Sequence, residues 1–85
     1  MEEQYVYWQN SETPFFILRQ ISFSKFECYD RVTRMWRAYP DGFREVSLNH
    51  ECHRISETNV FKIIDRLQSI DTSHMDYKEL CALIQ

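Results

Sequence analysis

The chain has 85 residues, of which 44% are hydrophobic and 27% are charged, and its formal net charge at pH 7 is −3. This composition is too apolar for a disordered chain, and the length predicts a single domain over residues 1–85. One glycine cannot supply the glycine-rich loops that hold nucleotide phosphates, so the common nucleotide-binding motifs are excluded. No run approaches the ~18–20 apolar residues of a membrane span, and we expect no membrane partner.

The cysteines and the first residues bear on the cellular compartment. An odd number of cysteines, three, argues against a complete disulfide framework. Residues 1–4 lack the basic and apolar regions of a secretory signal. We therefore predict a cytoplasmic protein in which Cys28, Cys52 and Cys81 are reduced thiols.

Two β-strands are predicted near the start of the chain. Residues 4–8 are aromatic and β-branched, and the polar stretch that follows them, 9–14, is typical of a turn. Residues 15–23 begin as a continuous apolar run and then alternate, which is typical of a central strand. One face of that strand would carry Phe15, Ile17, Ile21 and Phe23.

Residues 25–39 fit two different structures. A helix is favoured by the capping-box spacing of Ser24 and Glu27 and by two i,i+4 charge pairs. A hairpin is favoured by the alternation of Phe26 and Cys28 with charged residues, followed by a polar loop and a second strand. Periodicity alone does not decide between the two.

Turn and helix signals follow in the second half of the chain. Residues 39–42 predict a turn in which Gly42 supplies a positive φ, and residues 50–55 predict a short strand. Ser56 is a suitable N-cap for a helix over about 57–69. The buried face of that helix would carry Val60, Phe61, Ile63, Ile64 and Leu67.

A last helix is predicted after Ser73, with Asp76 at its N3 position, where the helix dipole favours a negative charge. Its core face would carry Tyr77, Leu80, Cys81 and Ile84, which follow the i, i+3, i+4, i+7 spacing.

The segments 15–19, 29–36 and 54–64 together resemble small uncharacterised proteins of Gram-positive bacteria and of their phages and mobile elements. The similarity covers roughly residues 15 to 67. It implies an opening strand, a hairpin that ends near Trp36, and an amphipathic helix that starts at Ile55-Ser56-Glu57. For residues 25–39 it favours the hairpin, and it carries no functional residue with it.

The predicted fold class is α+β, with a three- or four-stranded antiparallel sheet covered on one face by the two C-terminal helices. The alternative fold has a helix over 25–38 and a smaller sheet. The other sheet face, rich in aromatic residues, would be exposed or buried against a partner, which motivates a homodimer or a protein ligand as a hypothesis.

Charge is distributed unevenly along the chain. Residues 19–44 contain six cations against three carboxylates, together with six aromatic residues, and both ends of the chain are acidic. Arginine, tryptophan and tyrosine are the residues that anchor protein interfaces. The predicted partner-binding residues are Arg31, Arg34, Trp36, Arg37, Tyr39 and Arg44.

Two alternatives to a protein interface are open. The same residues could hold phosphates and stack bases, although nucleic-acid modules are usually basic and this chain is acidic. They could also pair internally with carboxylates and fill the core.

No catalytic or metal site is predicted. His50, Cys52 and His53 form a single group of ligand-type residues, whereas structural zinc sites combine two close-spaced pairs. No glycine-rich turn near Cys52 could form an oxyanion pocket. We therefore expect a non-enzymatic protein without cofactors that binds a protein, with nucleic acid as the less favoured partner. The resemblance to mobile-element proteins implies one particular version, an inhibitor of a host protein.

Overall fold

The computed structural model describes residues 5–84, which form one five-stranded antiparallel sheet and three helices. The predicted α+β class is confirmed, with more strands than the three or four expected. The elements are β1 (Val6–Asn10), β2 (Ile17–Ser22), β3 (Lys25–Asp30), β4 (Met35–Ala38), α1 (Gly42–Leu48), β5 (Cys52–Ile55), α2 (Glu57–Ser69) and α3 (Tyr77–Ile84).

The strand order in the sheet is β4-β3-β2-β1-β5. The first four strands follow one another through connections of six, two and four residues, and each pairs with its neighbour in sequence. The chain then passes from the β4 edge of the sheet to the β1 edge, where β5 pairs with β1. Helix α1 lies in this crossing segment, where the sequence predicts a turn at 39–42 and no helix.

The segment 25–39 is a hairpin, so the alternative with a helix is wrong. The Asp30 side chain explains the choice, because its Oδ1 accepts hydrogen bonds from the backbone N–H groups of Val32 (2.9 Å) and Thr33 (3.3 Å). Such local bonds offer the backbone a turn in place of a helix. Arg34 ends the turn in the left-handed region, at φ 59°.

The register assigns residues to the two faces of the sheet. One row that crosses all five strands is formed by Ile55, Tyr7, Arg19, Glu27 and Ala38, and we call its side the helix face. The opposite side, which we call the α1 face, carries the row Arg54, Trp8, Leu18, Cys28 and Arg37.

The main core lies on the helix face, where α2 and α3 pack against the sheet. The predicted span of α2 is confirmed, and Ser56 caps it by accepting a hydrogen bond from Asn59 N–H (3.2 Å). Burial of each large apolar side chain contributes about 1.5–3 kcal/mol. The buried cluster consists of Tyr7, Ile17, Tyr29, Val60, Ile63, Leu67, Leu80 and Ile84.

The α1 face holds a second, smaller set of buried residues, including Leu18 and Phe26. The start of α1 lies directly on Phe26, because a Cβ added at Gly42 would overlap the Phe26 ring. The prediction of a positive φ at Gly42 is wrong. Glycine is required there by this close approach of backbone to ring, not by its own dihedral angles.

Several predicted faces need correction. The long strand is shorter than predicted, and a register shift between Gln20 and Ser22 ends its alternation, so Phe23 lies in the following turn and is 76% exposed. Phe61 points away from the core and is 54% exposed. The register shift removes Phe23 from the strand face, whereas Phe61 lies on α2 beside the buried stripe of Val60, Ile63 and Leu67.

The ends of the chain differ from the predictions in smaller ways. The first strand begins at Val6, and Gln4 lies outside the described residues. The last helix begins at Tyr77, and Asp76 caps it by accepting a hydrogen bond from Glu79 N–H (2.8 Å) in place of the predicted N3 role. Tyr77 itself is exposed, and its hydroxyl donates to the backbone carbonyl of Glu12.

Candidate binding cleft on the α1 face

A cleft of about 490 Å³ opens on the α1 face beside the β3–β4 hairpin. This volume falls within the range of about 300–1,000 Å³ that is usual for ligand sites. Its lining residues are Phe15, Phe16, Cys28, Tyr29, Asp30, Arg31, Arg37, Ala38 and Tyr39. Apolar and aromatic groups thus share the cleft with two arginines and one carboxylate.

The apolar part of the cleft is formed by Phe16 and Tyr39, whose ring centroids lie 5.6 Å apart in an edge-to-face arrangement. Cys28 lies beside them, directly opposite Arg37 in the sheet. Burial, followed by the nearby Asp30 charge, raises the pKa of the Cys28 thiol to about 11. The thiol is therefore neutral at physiological pH and extends the apolar surface.

Asp30 holds the charged rim of the cleft in place. Its Oδ2 accepts a hydrogen bond from Arg37 Nη1 (3.1 Å), while its Oδ1 accepts the two backbone bonds of the turn. The pKa of Asp30 is lowered, first by Arg37 and then by the backbone N–H groups of Val32 and Thr33. Asp30 therefore stays ionised, and Arg37 is oriented along the cleft.

Arg31 differs from Arg37 because part of its guanidinium lacks a partner. Its Nε is buried from solvent, yet no group among residues 5–84 accepts a hydrogen bond from it. A buried donor without an acceptor costs about 1–3 kcal/mol, and more when the donor carries a charge. Arg31 therefore carries an unsatisfied donor beneath the surface, and the lining of the cleft has one more cation than carboxylates.

The structure brings three of the six predicted partner-binding residues together, namely Arg31, Arg37 and Tyr39. Trp36 lies on the helix face, where its ring packs against Tyr29 at a centroid distance of 5.5 Å. The other two arginines are exposed and lie elsewhere, Arg34 in the β3–β4 turn and Arg44 on α1. The six residues therefore do not form a single surface.

Arg19, the first cation of the segment 19–44, is held by contacts within the fold. Its Nε donates to Glu27 Oε1 (2.9 Å), the residue directly opposite it on β3. Its guanidinium carbon also lies 4.5 Å from the ring centroids of both Tyr5 and Trp36. Arg19 therefore pairs with a carboxylate inside the fold.

Of the six lining residues that were not predicted as site residues, two, Phe16 and Cys28, form part of the apolar surface of the cleft. Each lies one position away from a residue of the main core, Ile17 and Tyr29 respectively. Strand alternation therefore assigns both to the opposite face. The signal was present, but without the sheet order nothing in the sequence brought these two positions together.

The group at 50–53 is dispersed by the strand. His53 is exposed, and Cys52 is half-buried opposite Asn10. Burial, followed by the Glu45 charge, raises the pKa of the Cys52 thiol to about 11. Among the described residues, no three side chains of His, Cys, Asp or Glu are grouped so that they could hold a metal ion.

Comparisons with known proteins add no functional information. No family model matches the chain, and neither a curated protein nor a solved structure is significantly similar to it. Within residues 5–84, every helix is too short or too polar to cross a bilayer.

Proposed function

We propose that the protein is a non-catalytic interaction module that binds a partner protein through the cleft on the α1 face. The observation that carries this proposal is the convergence of Arg31, Arg37 and Tyr39 around the apolar surface of Phe16 and Cys28. Arginine and tyrosine in a partly desolvated pocket are typical of the few residues that contribute most of the binding free energy of an interface.

The charge of the chain favours a protein over a nucleic acid. A strand of phosphates would meet the repulsion of a chain with net charge −3, whereas a single partner group needs only the local positive charge of the cleft. In addition, Trp36 and Arg37 are adjacent on β4 and lie on opposite faces of the sheet, which disfavours stacking on Trp36 of a base that Arg37 holds. Nucleic-acid binding stays a prediction, which a salt series can test.

The proposed setting is the cytosol. The resemblance to phage and mobile-element proteins suggests one specific form of the proposal, in which the partner is a host protein and binding inhibits it. A homodimer is a further form, in which the cleft of one copy receives a segment of a second copy.

The test compares two double variants that remove the same charge. In Arg31→Gln/Arg37→Gln both changes lie in the cleft, and in Arg34→Gln/Arg44→Gln both lie outside it. Each tagged variant is used to capture proteins from a lysate of the source organism, with quantification by mass spectrometry. We expect the wild type and the second variant to capture the same partner and the first variant to lose it. Equal loss in both variants would contradict a role for the cleft.

A salt series separates a protein partner from a nucleic acid. For duplex DNA, log K falls by about 0.9 per phosphate contact for each unit of log salt concentration. We expect a labelled DNA duplex and a single strand to show no binding that depends on Arg31 and Arg37 at physiological salt. Binding that is lost in the cleft variant and falls steeply with salt would favour the nucleic-acid alternative. Light scattering on the purified protein tests the homodimer.

A further inference from the structure

We infer that an extended, acidic segment of a partner protein adds to the sheet as a sixth strand along the outer edge of β4. This inference rests on the proposed function, because it names the part of the partner that lies beside the cleft and the way its backbone is held. The supporting observations are the free backbone groups of β4, the state of the opposite sheet edge, and the charge of the residues around β4.

The hydrogen-bond phase of the β3–β4 hairpin determines which backbone groups of β4 face outward. Tyr39 N–H donates to the carbonyl of Phe26 (2.9 Å), and the register places these two residues opposite each other. In an antiparallel pair of strands, such bonded positions alternate with positions that exchange no hydrogen bond. The backbone of Arg37 therefore bonds to β3, whereas the N–H and C=O groups of Trp36 and Ala38 point away from it.

These outward groups lie at an open edge. β4 is the last strand of the sheet, and within residues 5–84 no backbone hydrogen bond links Trp36 or Ala38 to another segment. Pro40 has no N–H group, so the edge ends after Ala38. A row of unpaired N–H and C=O groups is a template for a further strand, and main-chain hydrogen bonds are what strand addition uses for affinity.

The opposite edge of the sheet, formed by β5, offers less to a partner. Ser11 N–H donates to the carbonyl of Glu51 (2.8 Å), so by the same alternation Cys52 and Arg54 face outward. The N–H group of Cys52 already donates to the carbonyl of Asn49 (3.1 Å). The chain itself thus closes part of the β5 edge, and β4 is the edge that a partner strand can extend.

The charge around β4 favours an acidic segment. Residues 31–39 contain three arginines and no carboxylate. The Arg37 side chain is 67% exposed on the α1 face, although its Nη1 donates to Asp30. A guanidinium group has five N–H donors, so Arg37 can also bind a carboxylate on a neighbouring strand. Opposite charges on adjacent strands stabilise their pairing.

The helix-face side of the same edge suits apolar residues. Trp36 is half-buried there, and Ala38 is small and exposed. Successive side chains of a strand point to opposite faces of the sheet. A segment that alternates acidic and apolar residues would therefore place its acids beside Arg37 and its apolar side chains beside Trp36 and Ala38. This alternation is the sequence pattern that we expect of the partner.

The charge of Arg37 disfavours a second copy of the chain at this edge. An antiparallel pairing that uses Trp36 and Ala38 of both copies places Arg37 directly opposite Arg37 of the second copy, on the same face. Like charges in that position are destabilising, and charged side chains on edge strands commonly prevent self-pairing. The occupant is therefore an acidic segment of a different protein.

Three capped pentapeptides test this edge without the partner. The acidic probe is N-acetyl-Glu-Val-Glu-Val-Glu-amide, and a charge-reversed control has lysine in place of each glutamate. A backbone control is the acidic probe with N-methyl groups on two adjacent central residues, one of whose N–H groups must face β4. With ¹⁵N-labelled protein and NMR, we expect a Kd on the order of 1 mM for the acidic probe and at least about tenfold weaker binding of both controls.

Amide exchange with solvent locates the bound peptide. In the free protein the amides of Trp36 and Ala38 should exchange faster than that of Arg37, which bonds to β3. At about five times the Kd of the acidic probe, exchange at Trp36 and Ala38 should slow about sixfold, because only free protein exchanges there. Exchange at Arg54, on the other edge, should not change. Unaltered exchange at Trp36 and Ala38, or equal binding of the three peptides, would overturn the inference.

Two variants separate the backbone from the charge. Ala38→Pro removes one outward N–H group and none of the hydrogen bonds to β3, and proline is tolerated at such edge positions. We expect it to weaken binding of the acidic probe about tenfold. Arg37→Gln should weaken it about two- to fivefold, and Arg44→Gln, on α1, should leave it unchanged. If Ala38→Pro does not fold, Arg37→Gln and amide exchange in the wild type decide.

The outcomes distinguish this inference from the proposed function. If capture of a partner depends on Arg31 and Arg37 but Ala38→Pro captures it as well as the wild type, the role of the cleft stands and strand addition is wrong. If the acidic probe binds as expected while capture is insensitive to the cleft, the chemistry of the edge stands and the proposed function fails. Protection of Trp36 and Ala38 that rises with protein concentration alone would overturn the acidic partner in favour of a second copy.

Discussion

The two faces of the sheet are covered in different ways. On the helix face, α2 and α3 contribute five buried side chains, Val60, Ile63, Leu67, Leu80 and Ile84. On the α1 face, the buried residue of α1 is a glycine, and a cleft lies beside the hairpin. One face is thus packed by side chains of two longer helices, and the other is closed in part by the backbone of a short one.

This difference indicates a division of roles within a small domain. An antiparallel sheet needs one well-covered face for its stability and can leave the other accessible. In this chain the helix face holds most of the buried apolar residues, so the α1 face can tolerate a cleft with two arginines in its lining. The two faces should therefore respond differently to equivalent substitutions.

The largest expected effect on stability comes from truncating one buried leucine on each face of the sheet. Leu67 and Leu18 are each 1% exposed, so their burial is matched. We expect Leu67→Ala to lower the free energy of unfolding by about 3–5 kcal/mol and Leu18→Ala by about 2–3 kcal/mol, because the cost depends on how far the surroundings can collapse into the cavity. Urea denaturation measures both. An equal or larger cost for Leu18→Ala would show that the two faces are packed alike.

The contact between α1 and the sheet gives the second prediction. In Gly42→Ala the new methyl group would overlap the Phe26 ring, so α1 must move away from the sheet. We expect a loss of about 1–3 kcal/mol in unfolding free energy, as in other overpacked sites. Ser47→Ala, at an exposed position of the same helix, should change stability by less than about 0.5 kcal/mol. A Gly42→Ala protein as stable as the wild type would contradict the close approach.

The reactivity of the Cys28 and Cys52 thiols tests how well the α1 face is shielded from solvent. A pKa of about 11 leaves roughly one Cys28 or Cys52 thiol in a thousand ionised at pH 8. We expect both to react with iodoacetamide about 20-fold or more slowly than a short cysteine peptide, since the lower thiolate fraction outweighs the greater nucleophilicity of a basic thiolate. Peptide mapping by mass spectrometry measures each rate, and denatured protein is the control. Rates equal to that of the peptide would indicate an open face.

The smallest expected effect concerns the turn beside the cleft. The folded-state pKa of Asp30 is depressed, so its ionised form stabilises the fold above its unfolded pKa of about 4 and loses that contribution as the pH falls through the lower folded value. We expect Asp30→Asn to be less stable than the wild type at pH 7 and the difference to shrink below about pH 4. Thermal melts between pH 7 and acidic pH measure this difference in stability. If the difference does not change with pH, the Asp30 charge is not its cause.

The sequence predicted the C-terminal half of the helix face better than the rest of the fold. Helix α2 was predicted with its cap and its bounds, because Ser56 and a regular apolar spacing act within a few residues of one another. Phe61 was misplaced, because an aromatic residue next to an apolar stripe looks buried by periodicity alone. Helix α1 was missed since its position depends on crossing the sheet and on the contact of Gly42 with Phe26, which no local pattern expresses.

For the site, the sequence identified residue types but not their grouping. Arg31, Arg37 and Tyr39 lie in the cleft, and Trp36 lies on the other face because it is one strand position away from Arg37. The ambiguity of residues 25–39 made this impossible to foresee, since a helix and a hairpin place these side chains differently. Phe16 joins them only through the sheet order, which depends on pairings between distant segments.

The position of β5 in the sheet also has a consequence for biosynthesis. The outer edge of β1 is completed by β5, where Tyr7 is opposite Ile55, so two residues 48 positions apart must both have been translated before this edge closes. At ~5–20 residues per second, ribosomes leave the backbone groups of β1 unprotected for several seconds. An exposed strand edge is a template for pairing with other chains, so nascent polypeptides that stall before β5 emerges should be the aggregation-prone species of this protein.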